Sequence, residues 1–155
     1  MRELTSTRTI KGSSHELWSL ISDLPRMGEW SDENEGGTWI RGASGPEVGA
    51  TFRGRNSNGW RRWTTLARVT ESVPGERFAF RVDAWRMPVS TWTYVLTDTE
   101  DGCAVTEAWL DRRPFWWLPI SAVITDVSDR AEHTKASMDH TLENLATYVE
   151  GRSGR

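Results

Sequence analysis

Alternation of apolar and polar residues marks the middle of the chain, between about residues 50 and 111. Within 61–72, Trp63, Ala67 and Val69 fall on one face of an extended chain, and Arg62 and Arg68 fall on the other. A period of two is typical of antiparallel strands that bury one face and expose the other. Turn-forming residues separate such segments. The pattern predicts strands over residues 3–11, 38–41, 50–56, 61–72, 78–82, 91–97 and 105–109.

Two segments have a helical period instead. Ser13 and Glu16 form a capping box at the start of the first helix, which we expect to end near Asp23, before a proline. The second helix is predicted to begin near Asp126 and to end at Gly151. It carries one apolar stripe of residues that recur every three or four positions: Val127, Ala131, Thr134, Met138, Leu142, Leu145 and Val149.

The order of these elements is strand, short helix, about six antiparallel strands and long helix, which is an α+β arrangement. Short turns join the strands, so the simplest packing curls the sheet around the final helix. A cavity then remains wherever helix and sheet do not meet. The segment 114–126 is too apolar for a free loop, and we expect it to be covered or to form an extra helical turn broken at Pro119.

Composition bounds the class of protein. A chain of 155 residues fits one domain, with its core at 3–150 and a disordered tail predicted at 151–155. A net charge of −3 argues against nucleic acid as a partner. The single cysteine, Cys103, excludes an internal disulfide and is expected to be a packing residue. We expect a cytoplasmic protein, because no apolar run is long enough to span a membrane and the N-terminus lacks a signal-peptide core.

Tryptophan is the unusual component, with ten residues against four phenylalanines and two tyrosines. Each aromatic ring offers roughly 150–250 Å² for burial, and a small core rarely needs so many. The abundance indicates that several tryptophans line a cavity or that several face a partner.

Several segments together resemble the START-like superfamily, also called the polyketide cyclase/dehydrase and lipid-transport (SRPBCC) family. They are ELWSLISDLPRMGEW, VGATFRGRN, RRWTTLARVTESVPGERFAFRV, STWTYVLTDTEDGCAVTEAW and the long final helix. The chain is similar to the stand-alone bacterial branch labelled cyclase/dehydrase-like. The resemblance implies a helix-grip fold with a cavity between the concave sheet and the C-terminal helix. It does not determine the chemistry, because this superfamily includes cyclases, hormone receptors and lipid carriers.

Strand parity selects the residues expected to line that cavity. Trp30 and Trp39 are expected near its mouth, and Asn56 lies near a strand end that would ring it. Thr134 and Met138 belong to the stripe of the final helix. The predicted ligand-binding residues are Trp30, Trp39, Phe52, Asn56, Trp63, Phe80, Trp92, Tyr94, Glu107, Trp109, Thr134 and Met138. An aromatic cage of this kind suits a planar hydrophobic ligand, although the same rings would also fill a solid core.

Glu107 is the candidate catalytic residue, with Tyr94 as its companion. It lies between Val105 and Trp109 on the inferred inward face, where a carboxylate is costly to desolvate. Burial would raise its pKa and make it a proton acceptor or donor for an aldol-type cyclisation. The alternative is a structural glutamate bonded to Tyr94 or to a strand arginine.

Other chemistry-bearing residues favour simpler interpretations. Asp111 is expected to form a local ion pair with the arginines that follow it. His133 and His140 fall on the side of the final helix away from the apolar stripe, so we expect them in water. Without a carboxylate partner at metal spacing, the sequence predicts no metal, and no phosphate loop or other cofactor motif is present.

Three hypotheses remain open. The leading one is a protein that binds a small hydrophobic, aromatic or polyketide-like molecule. The second is a cyclase/dehydrase-type enzyme that uses Glu107 as acid and base. The third is an interaction module whose outward tryptophans, Trp60, Trp116 and Trp117, dock a protein partner or a second copy of the chain.

Overall fold

The computed structural model describes residues 3–125 and 130–153, and every predicted strand is present in it. One seven-stranded sheet has the order β1-β7-β6-β5-β4-β3-β2, and all neighbouring strands are antiparallel. The strands are β1 (Glu3–Ile10), β2 (Asn34–Ile40), β3 (Thr51–Asn58), β4 (Arg61–Val73), β5 (Arg77–Ala84), β6 (Met87–Thr99) and β7 (Gly102–Asp111). The α+β fold class and the curved antiparallel sheet are therefore confirmed.

Helix α1 (Ser14–Ile21) connects the two edges of the sheet, because it follows β1 and leads towards β2. The predicted N-cap is confirmed, since the Ser13 hydroxyl accepts a hydrogen bond of 3.1 Å from the backbone N–H of Glu16. The helix ends before Pro25, and a 3₁₀ helix follows at Leu24–Glu29. Leu17, Leu20 and Ile21 are buried against the core.

Helix α3 (Arg130–Ser153) lies against the concave face of the sheet. Its apolar stripe is confirmed, with Met138, Leu142, Leu145 and Val149 buried. Val127 and the predicted start near Asp126 lie outside the described residues. The helix does not end at Gly151 but continues to Ser153, because a glycine permits a C-cap without enforcing one.

The segment between β7 and α3 is helical, with a 3₁₀ helix at Phe115–Trp117 and helix α2 at Leu118–Thr125. Pro119 lies in the first turn of α2, where the missing N–H costs no helical hydrogen bond, so it does not break this helix. The expectation that the segment 114–126 is covered is wrong for its outer side chains, because Phe115, Ile120 and Val123 are exposed.

Candidate functional site

A cavity lies between the concave face of the sheet and α3, and it is partly open to the surface. Its volume is about 160 Å³. Inward-facing residues of β3 to β7 form its floor, and α2 and α3 contribute the opposite wall. Alternate residues of one strand point to the same side, so the floor repeats every second position, as with Trp63, Thr65 and Ala67 on β4.

All but two of the predicted ligand-binding residues line this cavity. Among the predicted aromatic residues of the cavity, Trp63 and Trp92 are half-buried, whereas the others are buried: Phe52, Phe80, Tyr94 and Trp109. The predicted residues that line the cavity are Phe52, Asn56, Trp63, Phe80, Trp92, Tyr94, Glu107, Trp109, Thr134 and Met138.

Trp30 does not lie at the cavity mouth. Its ring packs on Tyr148 with a centroid distance of 5.7 Å, and the Arg26 guanidinium lies 5.5 Å from its centroid. The side-chain amide of Asn144 donates a 3.0 Å hydrogen bond to the backbone oxygen of Trp30. The turn after the 3₁₀ helix is thereby attached to the C-terminal half of α3, whereas the cavity adjoins the N-terminal half.

Trp39 also lies outside the cavity. It packs edge-to-face on Phe52, with 5.4 Å between ring centroids, and borders a shallow groove with Trp18 and Pro46. Trp39 and Phe52 are cross-strand partners on β2 and β3. However, β2 is an edge strand, and the end of β2 that carries Trp39 faces α1 rather than the hollow.

Glu107 and Tyr94 are cross-strand partners on β7 and β6, and they form the polar centre of the cavity floor. The Tyr94 hydroxyl donates a hydrogen bond of 2.7 Å to Oε1 of Glu107. Glu107 is 2% exposed, and its Oε2 atom is buried without a hydrogen-bond partner among the described residues. A buried polar atom of this kind is costly unless a ligand or a water satisfies it.

Burial raises the pKa of Glu107 from 4.5 to about 8. The Tyr94 hydroxyl and Lys135 on α3 oppose this rise, whereas Asp139 on α3 adds to it. Burial, with the carboxyl of Glu107 beside it, also raises the pKa of Tyr94 well above its usual value. Around neutral pH, Glu107 is therefore mostly a neutral acid, and Oε2 is free to carry its proton into the cavity.

A second polar group lies where β2, β3 and β4 meet the cavity. The Asn56 side-chain amide donates to the Thr65 hydroxyl at 2.9 Å, and the Asn34 amide donates to Asn56 Oδ1 at 3.4 Å. A β-bulge between Asn34 and Gly37 turns the strand here, and a Cβ at Gly37 would lie 1.9 Å from the Arg53 carbonyl oxygen. Glycine is therefore required at the bulge that aims Asn34 at the cavity.

The predicted ion pair of Asp111 is present and involves Arg113. Two nitrogens of the guanidinium donate to the two carboxylate oxygens, Nε at 2.9 Å and Nη2 at 2.8 Å. The third nitrogen, Nη1, donates to the Ser121 hydroxyl of α2 at 2.8 Å. The sequence predicted the pair but not its position, because only the fold brings α2 over the end of β7 and places Arg113 at the cavity wall.

The prediction that the helix histidines lie in water is confirmed for His140, whose side chain is exposed, and is wrong for His133, which is half-buried beside the cavity. Nε2 of His133 lies 3.0 Å from a carboxylate oxygen of Glu33, and both residues border the cavity. Nδ1 of His140 lies 2.5 Å from Oδ1 of Asp32. The acidic segment after Trp30 packs over this face of α3, and the available signal was the charge complementarity of that segment with two histidines seven residues apart.

No three His, Cys, Asp or Glu side chains come together as a metal site within the described ranges 3–125 and 130–153. Cys103 is buried in the core, and burial raises the pKa of its thiol. It is therefore suited to packing rather than to nucleophilic attack.

The cavity combines aromatic walls with four separate polar features: the Glu107–Tyr94 pair, the Asn34–Asn56–Thr65 group, the His133–Glu33 pair and Arg113. Apolar surface with a few placed polar groups is typical of small-molecule sites. Chemically, the arrangement can stack on a flat ligand and offer a hydrogen-bond donor to one oxygen atom of it.

The chain belongs to the family described as "Polyketide cyclase / dehydrase and lipid transport", whose model matches residues 1–150. This membership and the helix-grip fold agree with the resemblance noted from the sequence. Among functionally curated proteins, no sequence matches significantly.

Solved structures share the fold. Protein CV1439 from Chromobacterium violaceum has a TM-score of 0.72 at 15% identity, with 97% of this chain and 99% of that one aligned. The Polyketide_cyc-like protein Cgl2372 from Corynebacterium glutamicum has a TM-score of 0.65 at 25% identity, covering 96% and 91%. The di-domain ARO/CYC StfQ from the steffimycin biosynthetic pathway has a TM-score of 0.77 at 13% identity, covering 99% of this chain and 52% of that protein.

Proposed function

We propose that this protein binds a planar, hydrophobic, aromatic or polyketide-like molecule in the cavity between the sheet and α3. The observation that carries the proposal is the hollow itself, walled by Trp63, Trp92 and Trp109 with Glu107 at its polar centre. Stacking on such rings contributes beyond the burial of apolar area. The steffimycin-pathway protein with the same fold supports this class of ligand.

The size of the cavity limits how a ligand fits. A dry apolar cavity of about 150 Å³ accepts a benzene molecule, so a volume of about 160 Å³ encloses at least one aromatic ring. Further fused rings would extend towards Trp117 and towards Trp85, which lines the cavity and is exposed at the surface. A carbonyl or other acceptor oxygen on the enclosed ring would accept a hydrogen bond from the protonated carboxyl of Glu107, which satisfies the otherwise unpartnered Oε2.

Titration of the intrinsic tryptophan fluorescence tests this proposal. We expect flavonoids and anthraquinones to quench the emission saturably, because they stack on tryptophans of the cavity. Fatty acids of similar length are expected to bind about tenfold more weakly or worse, since they do not stack and their acyl chain loses more rotational freedom.

The control compounds are saturated polycyclic molecules of matched size, which test stacking separately from hydrophobicity. Equal affinities for saturated and aromatic compounds would refute the aromatic preference. Absence of saturable quenching by every compound in the panel would refute ligand binding in the cavity.

A second candidate function is catalysis of the cyclase/dehydrase type, favoured by the unpartnered oxygen of Glu107 and its raised pKa. A group with a pKa near neutral can remove a proton next to a carbonyl and return it. The variant Glu107→Gln distinguishes the two functions. If the protein is an enzyme, the wild type turns over its substrate, and Glu107→Gln binds the substrate without turning it over. If the protein is a carrier, neither the wild type nor the variant shows turnover.

A further inference from the structure

Three elements meet at one end of the molecule and expose apolar side chains there. The β3–β4 turn carries Trp60, which is 77% exposed, and the β5–β6 turn carries Trp85. The segment from Phe115 to Val123 covers the same end. We call this surface the aromatic tip, and define it by its exposed side chains: Trp60, Trp85, Phe115, Trp116, Leu118, Ile120 and Val123.

Specific contacts hold the three elements together. Nη1 of Arg61 donates a 2.7 Å hydrogen bond to the carbonyl oxygen of Val123, and the Arg61 guanidinium lies 4.2 Å from the centroid of the Trp60 ring. Trp85 packs on Trp117 with 6.3 Å between ring centroids. The aromatic tip is therefore a fixed surface, although most of its side chains face outwards.

The residues of the β5–β6 turn are unfavourable for its backbone conformation. Its two residues between Ala84 and Met87 are Trp85 and Arg86, with φ values of 49° and 63°. A two-residue turn with both φ angles positive favours Asn-Gly, and bulky residues are strained there. Strain of this kind occurs where a protein needs particular side chains in place, and here it presents a tryptophan and an arginine outwards.

Positively charged side chains lie next to the apolar residues of the aromatic tip. Arg61 and Arg62 follow Trp60, and Arg86 follows Trp85, whereas Asp83 is the acidic contribution of these two turns. The two turns are therefore net positive within a chain whose overall charge is −3. An anionic surface would attract this end and repel the rest of the molecule.

We propose that the aromatic tip docks on an anionic lipid bilayer. Tryptophan and arginine beside aliphatic and phenylalanine side chains are the composition of protein segments that lie in the membrane interface. Trp85 of the aromatic tip also lines the cavity, so the docked surface adjoins the hollow. Trp117 lines the cavity as well, and the expectation that it faces outwards is wrong because it is half-buried against Trp85. Docking is peripheral, because no helix within the described residues is long and apolar enough to cross a bilayer.

A second copy of this chain fits the aromatic tip less well. A two-fold dimer requires a surface that is complementary to itself. The net positive turns would then meet net positive turns across the axis, and like charges in a desolvated interface are unfavourable.

Vesicle co-sedimentation tests the proposal without any cavity ligand. The probes are vesicles of phosphatidylcholine alone and of phosphatidylcholine with an equal part of phosphatidylglycerol. We expect binding to the anionic vesicles that weakens as salt is added, since the arginine contribution is screened. The double variant Phe115→Ser, Val123→Ser is expected to bind about tenfold more weakly or worse, because both side chains are exposed in the free protein and would be buried in lipid.

The matched control is Val48→Ser, Val73→Ser, which removes two exposed valines at the opposite end of the sheet. It should bind vesicles like the wild type, and both double variants should keep the wild-type melting temperature. No binding to anionic vesicles, or equal binding by both double variants, would overturn the proposal. Sedimentation velocity that shows a dimer lost in Phe115→Ser, Val123→Ser, without vesicle binding, would replace it with self-association. Fluorescence titration of the same variants shows separately whether the cavity binds its ligand.

Discussion

Replacing Glu107 with glutamine is expected to make the protein more stable than the wild type above about pH 8, by several kcal/mol. Glutamine keeps the shape of the side chain and can accept the hydrogen bond of Tyr94, but it never carries a charge in the buried site. The wild-type carboxyl becomes ionised in that pH range, next to a buried hydroxyl and with Oε2 unpartnered.

The direction of the effect follows from proton linkage. Between pH 4.5 and about 8, the carboxyl of Glu107 keeps its proton in the folded chain and releases it in the unfolded chain. The folded state therefore binds more protons, and the free energy of unfolding falls as the pH rises, by up to about 1.4 kcal/mol per pH unit. The contribution is fully present below the unfolded pKa and is lost once the pH exceeds the folded pKa.

Urea denaturation of wild type and Glu107→Gln across this pH range measures the difference directly. The curves should be close at about pH 5 and diverge with rising pH. Glu76→Gln serves as the control, because it removes an exposed carboxyl and should leave the wild-type pH dependence unchanged. If Glu107→Gln retains the whole wild-type decline, Glu107 is not the buried acid described above.

Filling the cavity should abolish ligand binding without unfolding the protein. Ala67 is buried on β4 beside Phe52, its cross-strand partner, and borders the hollow. In Ala67→Phe, the new ring enters that space, and we expect the affinity for the best planar ligand to fall about 100-fold, roughly 2.7 kcal/mol. The melting temperature should stay unchanged or rise, because the ring gains apolar contacts without displacing other side chains.

The control is Thr64→Phe, which adds the same ring to the outer face of the same strand, at an exposed position. Fluorescence titration of the two variants measures ligand affinity, and thermal denaturation measures stability, so the two effects are separated. If Ala67→Phe lost several kcal/mol of stability, as overpacking of a solid core does, and kept its affinity, the hollow would be neither open nor the binding site.

Strand parity allowed much of the cavity to be predicted from the sequence. Trp63, Ala67 and Val69 share the inward face of β4 because the first irregularity in its pairing with β5 comes only after Val69. On β7, the pairing with β6 is regular throughout, so Glu107 and Trp109 are inward as expected. The period of the final helix likewise identified the residues that face the sheet.

The remaining features depend on contacts between segments far apart in the chain. His133 reaches the cavity because the segment that carries Glu33 packs over α3, and no local pattern encodes that packing. Trp30 lies outside the cavity because its ring packs on Tyr148, in the C-terminal half of α3. An ion pair between Asp111 and one of the arginines that follow it was predicted, but the place of Arg113 in the cavity wall required the position of α2.

Native mass spectrometry of the freshly purified protein tests the central claim most directly. We predict that the wild type carries a small aromatic molecule, either retained from the cell or taken up from the planar compounds added, and that Ala67→Phe carries none. Wild-type protein that stays at its bare chain mass with every added compound, or an adduct equally present on Ala67→Phe, would contradict the claim that the space between sheet and final helix is a ligand site.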